Sequence, residues 1–344
     1  MAEAVLDAPG SGTPRRDAGL RGVWFAGTFG LSLAAFAVTF ALAPPAGEDP
    51  VAAFGWLLFT GSAVHVAATG WLYTVPEIRA HVRTHRRRYV TAPLALIAGT
   101  ALVAAVLTPD AFAWLLLPFF AWQFFHFQKQ NLGMAALAAA GWRAGSLRPA
   151  ERRAIVAAGC AGTAGLLLDP DLLELRVDHR LDALFPLAGV AFVVTVVLGA
   201  AAVARRPAAA RPWPFLAVYA PSLPFFAPVF VFDSPYRAVA GIVLAHGYQY
   251  LLILALIAGA RTVAGSRVLG PALLLNLALL GGLALATASH LHDGTPAARA
   301  VYGAYLGVTM AHFVIDAGIW RLRDEFPRQF LTERLPYLLA RPRA

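Results

Sequence analysis

Cysteine is almost absent from this 344-residue chain, with Cys160 the only one. No disulfide can form within the chain, and no thiolate cluster can hold a metal, so any metal must take imidazole and oxygen ligands. Lysine is equally scarce, Lys129 standing alone. Charged residues make up only 14% of the chain, against about 25% in soluble domains. By contrast, 59% of residues are apolar and the mean hydropathy is +0.63. A soluble enzyme and a disordered chain are both excluded, and short loops leave no room for a soluble domain.

What is present is a series of apolar runs, each near the roughly 20 residues that cross a bilayer. They are Val23 to Leu42, Val51 to Tyr73, Val90 to Leu107, Phe112 to Gly133, Ala154 to Leu168, Leu184 to Ala204, Trp213 to Phe232, Ala238 to Ala260, Val268 to Ser289 and Ala300 to Trp320. The first exceeds a signal-peptide core and is followed by Pro44, so Ala41-Leu42-Ala43 reads as part of an uncleaved span. The fifth is short enough to be re-entrant. Proline at 214, 221, 224 and 228, and the pair Gly281-Gly282, predict kinked or broken helices in the seventh and ninth runs.

Arginine decides the count. With ten spans and a cytoplasmic N-terminus, 23 arginines fall in inner segments and only Arg176, Arg180, Arg237 and Arg299 fall outside. Removing the short fifth run would flip every later segment and place the arginine-rich C-terminus outside. The expectation is an all-α, polytopic, multi-pass protein of the cell membrane, of the bacterial inner-membrane type, with both termini cytoplasmic. Its parts are an N-terminal tail over 1–22, one transmembrane helical domain over 23–320 and a basic tail over 321–344. The net charge of +9 is then topology, facing anionic headgroups at the cytoplasmic face rather than nucleic acid.

Ionisable groups inside spans are costly and mark candidate sites. Together with the polar side chains in the runs they are His65 in the second run, Gln123, His126, Lys129, Gln130 and Asn131 in the fourth, His246, Gln249 and Tyr250 in the eighth, Asn276 in the ninth, and His312 with Asp316 in the tenth. At about 1.5 Å per residue, His65 and His312 lie roughly 12 Å and His126 roughly 10 Å from the inner ends of their runs. His246 comes out roughly 21 Å from its end, a turn or two higher unless its helix tilts. Four imidazoles in one half of the bilayer suggest one shared metal site. His312 and Asp316, four apart, share a face, as two ligands or a ligand and its orienting carboxylate do. Asp316 could instead pair with Arg321 or Arg323. Tyr250, Gln249, Gln130, Asn131 and Asn276 are expected to bond ligands or substrate; Lys129 either contacts substrate or reaches for the inner surface. The aromatic stretch from Trp114 to Phe127 reads as packing and lipid-facing surface, with the lining of a pocket for a long apolar substrate as the alternative.

At the surfaces, His81 and His85 have a one-face helical spacing among arginines that suits phosphate headgroups. His290, His292 and Asp293 sit in an outer turn, and His179 has no evident partner.

Histidines spread over the second, fourth, eighth and tenth runs resemble the pattern of integral-membrane non-haem iron oxygenases, the bacterial carotene-cleaving dioxygenases and, more distantly, fatty-acid desaturases and hydroxylases. Ala245-His246-Gly247 stands where the former have a Pro-His-Gly type box, and His81-x-x-x-His85 is the only spacing like a desaturase box. The resemblance implies iron held by His65, His126, His246 and His312, with dioxygen acting on a lipid-soluble substrate; Asp316, Tyr250 and Lys129 are candidates for catalytic roles. Two other readings stay open on the sequence: a proton-coupled transporter using the buried His and Asp, and a haem b protein. The sole lysine, outside the last spans, speaks against a retinal protein.

Overall fold

The structure, a computed structural model, describes residues 14–178, 181–260, 263, 265–292 and 294–339. His179 and Asp293 lie outside the described residues, as do Arg180 and Arg261. Among the described residues every regular element is a helix and no strand occurs. In chain order the main helices are α1 (Pro14–Leu42), α2 (Ala52–Thr74), α3 (Pro76–Thr84), α4 (Arg87–Val106), α5 (Pro109–Gly141), α6 (Pro149–Leu168), α7 (Asp182–Ala204), α8 (Trp213–Ser222), α9 (Tyr236–Gly259), α10 (Leu269–Ser289), α11 (Pro296–Ile319) and α12 (Glu325–Arg334).

Seven of these, α1, α2, α4, α7, α9, α10 and α11, are long and apolar enough to cross a membrane. Their outward faces fit that solvent. On α7, Leu187, Val190, Val193, Val197 and Leu198 are exposed, as are Leu275, Leu280 and Leu283 on α10. An apolar surface this continuous belongs against lipid. The other three expected spans fall on α5, whose 33 residues include glutamine, histidine and lysine, on α6, which starts with charged residues, and on α8, which stops after 10. Pro221 inside α8 and a separate tight turn at Ala227–Phe230 are the break the prolines predict. Gly281-Gly282 does not break its helix: α10 runs unbroken from Leu269 to Ser289.

Among the described residues, those nearest both ends of the chain are helical and packed. Helix α1 already begins at Pro14, and the last described residues fold back, burying Phe330, Leu331, Leu335 and Leu338 in the core. Arg21 Nε donates to the Tyr337 carbonyl at 2.9 Å, and Arg334 pairs with Glu77 of α3. On the same face, Glu151 at the start of α6 is fully buried and held by Arg206 through two bonds of 2.5 and 2.6 Å. The guanidinium also donates to the carbonyls of Ala144 and Ser146. A buried pair of this kind satisfies both charges locally and ties two loops together.

The second span has the least regular backbone. A π turn at Thr60–Val64 interrupts α2 immediately before His65, and the helix then tightens to a 3-10 geometry over Thr69–Thr74. A π turn inserts one residue and rotates the remainder of the helix about its axis. It is gripped from both sides by backbone: a side chain at Gly247 of α9 would collide with the Gly61 carbonyl, and one at Gly282 of α10 would meet Val64 Cα at 2.9 Å. Gly247→Ala is therefore expected to push α9 off the turn, costing about 1–3 kcal/mol. Thermal unfolding in detergent measures this, and Gly259→Ala, where nothing lies within 4 Å, is the neutral comparison.

Candidate metal centre

Four helices deliver the site, each through the same local device. His65 and Thr69 on α2, His126 and Gln130 on α5, His246 and Tyr250 on α9, and His312 and Asp316 on α11 are all four apart, one above the other on a helix face. The imidazoles meet each other. Ring centroids of His65 and His246 lie 5.0 Å apart, His65 and His312 5.2 Å, His126 and His246 5.0 Å, and His126 and His312 5.1 Å. The rings thus form a closed circuit with His246 and His312 6.4 Å apart across it.

The residues one turn further on form a second layer. Tyr250 Oη donates to Asp316 Oδ1 at 2.9 Å, Thr69 Oγ1 is 2.9 Å from Tyr250 Oη, and Gln130 donates to Gln249 at 3.0 Å and to the His246 carbonyl at 2.9 Å. Thr69, Tyr250 and Asp316, one turn on from three of the imidazoles, contact one another, while Gln130 reaches α9 at Gln249 and the His246 carbonyl. Layers in that order fit helices that run in the same direction at the site.

Two groupings have ligand atoms within 4.8 Å of one another: His65, His246 and His312, and His126, His312 and Asp316. They share His312. Nε2 of His126 and Nε2 of His312 sit 3.8 and 3.7 Å from Asp316 Oδ2. Both ring nitrogens of His65 and of His246, with Nε2 of His126 and of His312, are buried without a hydrogen-bond partner. Leaving such a group unsatisfied costs about 1–3 kcal/mol each. With one ligand atom from each side chain, each grouping offers three donors close enough together to hold a cation.

The hydrogen-bond chain also selects a tautomer. Thr69 Oγ1 is 2.6 Å from His312 Nδ1. With Tyr250 committed as donor to Asp316, the chain runs in one sense: His312 Nδ1–H to Thr69, Thr69 to Tyr250, Tyr250 to Asp316. His312 then presents the lone pair of Nε2 to the centre, the form a metal ligand needs. The walls are aromatic. Phe127 stacks on His246 at 4.0 Å and Phe313 on His126 at 4.6 Å.

His246 joins the other three rings, not a level above them. Helix α9 continues well past the cluster, so the end of its apolar run does not mark a common depth. Asp316 does not pair with Arg321 or Arg323, both of which face Asp324 at 3.7 and 3.8 Å. Asn131 is buried next to the centre, donating to Gln128 and lining a small cavity with Ser32 and Gln249. Asn276 is exposed on α10 and bonds the Ala272 carbonyl of its own helix, and Lys129 is exposed on the flank of α5; neither reaches the imidazoles. Of the aromatic stretch, Trp114, Trp122 and Phe125 face outward while Phe119, Phe124 and Phe127 are buried. His81 and His85 form a separate stacked pair, His81 lying flat on Phe326 at 4.0 Å. Burial, then the charges of His85 and Arg88, hold His81 below its ordinary value. Thr69, Phe127 and Phe313 are site residues that the sequence reading passes over; the four-residue offset from His65 is the signal that would have found Thr69.

Comparison with protein-family models, curated proteins and solved structures returns no match. The site is read from its own geometry.

Tyr250→Phe removes the donor to a buried carboxylate and is expected to destabilise the protein by about 1–3 kcal/mol, measured as a lower unfolding midpoint in detergent. Asn276→Ala, at an exposed position, is expected to stay within about 0.5 kcal/mol of wild type.

Proposed function

We propose that this chain is an integral-membrane oxidoreductase in which His65, His126, His246, His312 and Asp316 hold iron, and that its substrate is a lipid-soluble molecule oxidised with dioxygen. The observation that carries the reading is the pair of ligand groupings, sharing His312, that four helices bring together from buried imidazoles and Asp316. A donor set of imidazole and carboxylate without thiolate suits iron, which would supply the redox chemistry toward dioxygen. The chain's own residues do the rest. Thr69 and Tyr250 orient His312 and Asp316, while Gln130 ties α5 to the backbone of α9. His126 is the ligand with residual exposure, 10% of its side chain, and Phe313, which stacks on it, also meets the outward-facing Trp122. A substrate dissolved in the bilayer would approach there, between α5 and α11. Against haem b stands the ring circuit: the space around the His246–His312 axis is filled by His65 and His126.

Metal analysis of the purified full-length protein is expected to find iron in stoichiometric amount, lost in His312→Ala because both groupings use it. Folded protein with no transition metal, whose His65, His126, His246 and His312 alanine variants behave like wild type, would overturn the reading. Uptake into liposomes driven by a pH gradient and abolished in Asp316→Asn would replace it with transport, and a Soret band would replace it with haem.

The topology belongs to the same reading. Four co-directional helices need an odd number of crossings between each and the next. Helix α4 supplies one between α2 and α5, and α10 supplies one between α9 and α11. Between α5 and α9 the number is one or three, so the total is even and the termini share a side. Side-by-side packing of α6 along α7 favours three, giving ten crossings, with the arginine-rich side cytoplasmic. Reporter fusions at Asp171 and Pro207 are expected to report outside and inside respectively; eight crossings would reverse both.

A further inference from the structure

A second feature lies on the flank of the bundle, away from the imidazoles. Lys129 of α5, with Arg152 and Arg153 of α6, closes one end of an open groove of about 830 Å³ whose walls continue along α6 and α7 through Val156, Ala157, Cys160, Ala191 and Thr195. The groove is cationic at one end and apolar along its length. Lys129 stands 20 residues into α5, roughly 30 Å from its start, which is about the thickness of the hydrocarbon core. On the ten-crossing reading proposed above, this turns the cationic end toward the arginine-rich surface and runs the apolar wall into the bilayer.

Those cations are left without counter-charge: among the described residues, no carboxylate lies within 4 Å of Lys129, Arg152 or Arg153. The acid in that corner, Glu151, is fully buried and committed to Arg206. Arg148 and Arg205 stand nearby, joined by a bond from the Arg148 guanidinium to the Arg205 carbonyl at 3.2 Å, and add to the same field. A concentrated positive charge above an apolar groove between helices complements an anion that carries a hydrocarbon chain.

We propose that this groove binds an anionic glycerophospholipid of the arginine-rich leaflet, its phosphodiester held by Lys129, Arg152 and Arg153 and an acyl chain laid along Ala157 and Cys160. The sole lysine of the protein is then a lipid ligand. The site is independent of the metal centre and survives any outcome there.

Native mass spectrometry of the full-length protein, with phosphatidylglycerol and phosphatidylcholine of identical chains, reads the preference. Wild type is expected to retain phosphatidylglycerol selectively, and the variant carrying Lys129→Gln, Arg152→Gln and Arg153→Gln to lose that selectivity by roughly 10- to 100-fold. Removing equal charge elsewhere, with Arg86, Arg87 and Arg88 each changed to Gln, is expected to leave it intact. Selectivity that is unchanged in the first variant, or lost equally in the second, overturns the proposal, as does equal binding of chainless glycerol phosphate. Cys160 gives a test without mutation. As the only cysteine, and an exposed one, it is expected to react with a maleimide several-fold more slowly in phosphatidylglycerol than in phosphatidylcholine, and equal rates refute the placement of the chain.

Discussion

Four imidazoles and one carboxyl group in an apolar bundle impose the constraint on which the rest of this molecule depends. In lipid, a polar atom has no water to fall back on, so each must find its partner inside the protein. The second layer exists for that reason: Thr69, Gln130, Tyr250 and Asp316 absorb what they can of the donors and acceptors around the rings. One nitrogen from each ring falls within a grouping of ligand atoms within 4.8 Å of one another. That closeness is what separates these imidazoles from a set of unrelated interhelical bonds.

The same constraint bears on the direction proposed for the helices. A histidine with a polar residue one turn further on, repeated on four helices, forms two ordered layers when the helices are co-directional. Membrane helices joined by short loops alternate in direction, so the intervening segments serve as return paths. Helices α4 and α10 do this in single crossings, and the stretch from α6 to α8 does it less regularly, with the proline-rich break after Ser222. The surface elements on the arginine-rich side, α3, α12 and the Glu151–Arg206 pair, then close the loops that the return paths create.

Much of this was legible in the sequence. Regular rise per residue placed His65, His126 and His312 at one level, and the spacing of His312 and Asp316 put them on one face. The level of His246 was not legible, because α9 extends beyond the cluster and its apolar run ends far from the site. The π turn before His65 leaves no residue-type signature, since one more residue per turn is a property of hydrogen-bond register. Thr69 was overlooked because a threonine in an apolar run usually bonds its own helix, as Thr100 does here. Asn276 misled for the converse reason: an amide in a span looks like a site residue, yet its bond to Ala272 satisfies it locally. The burial of Arg206 was also hidden, since in an inner loop with Arg205 and Arg211 it looks like one more topological charge.

The π turn in α2 has a consequence for how such a chain can vary. It divides the span into two rotational phases: the outer half presents Phe54 to Tyr236, and the inner half presents His65, Ala68 and Trp71 to the bundle interior. A continuous α-helix could satisfy one of these registers but not both, because an extra residue offsets them by roughly 100°. Loss of a single residue between Thr60 and Val64 would keep the span's length and hydropathy nearly unchanged while turning His65 out of the ring circuit. The functional information in this segment is therefore carried by a residue count as much as by residue identity, and a relative that kept all four histidines but dropped one position there would have lost the site.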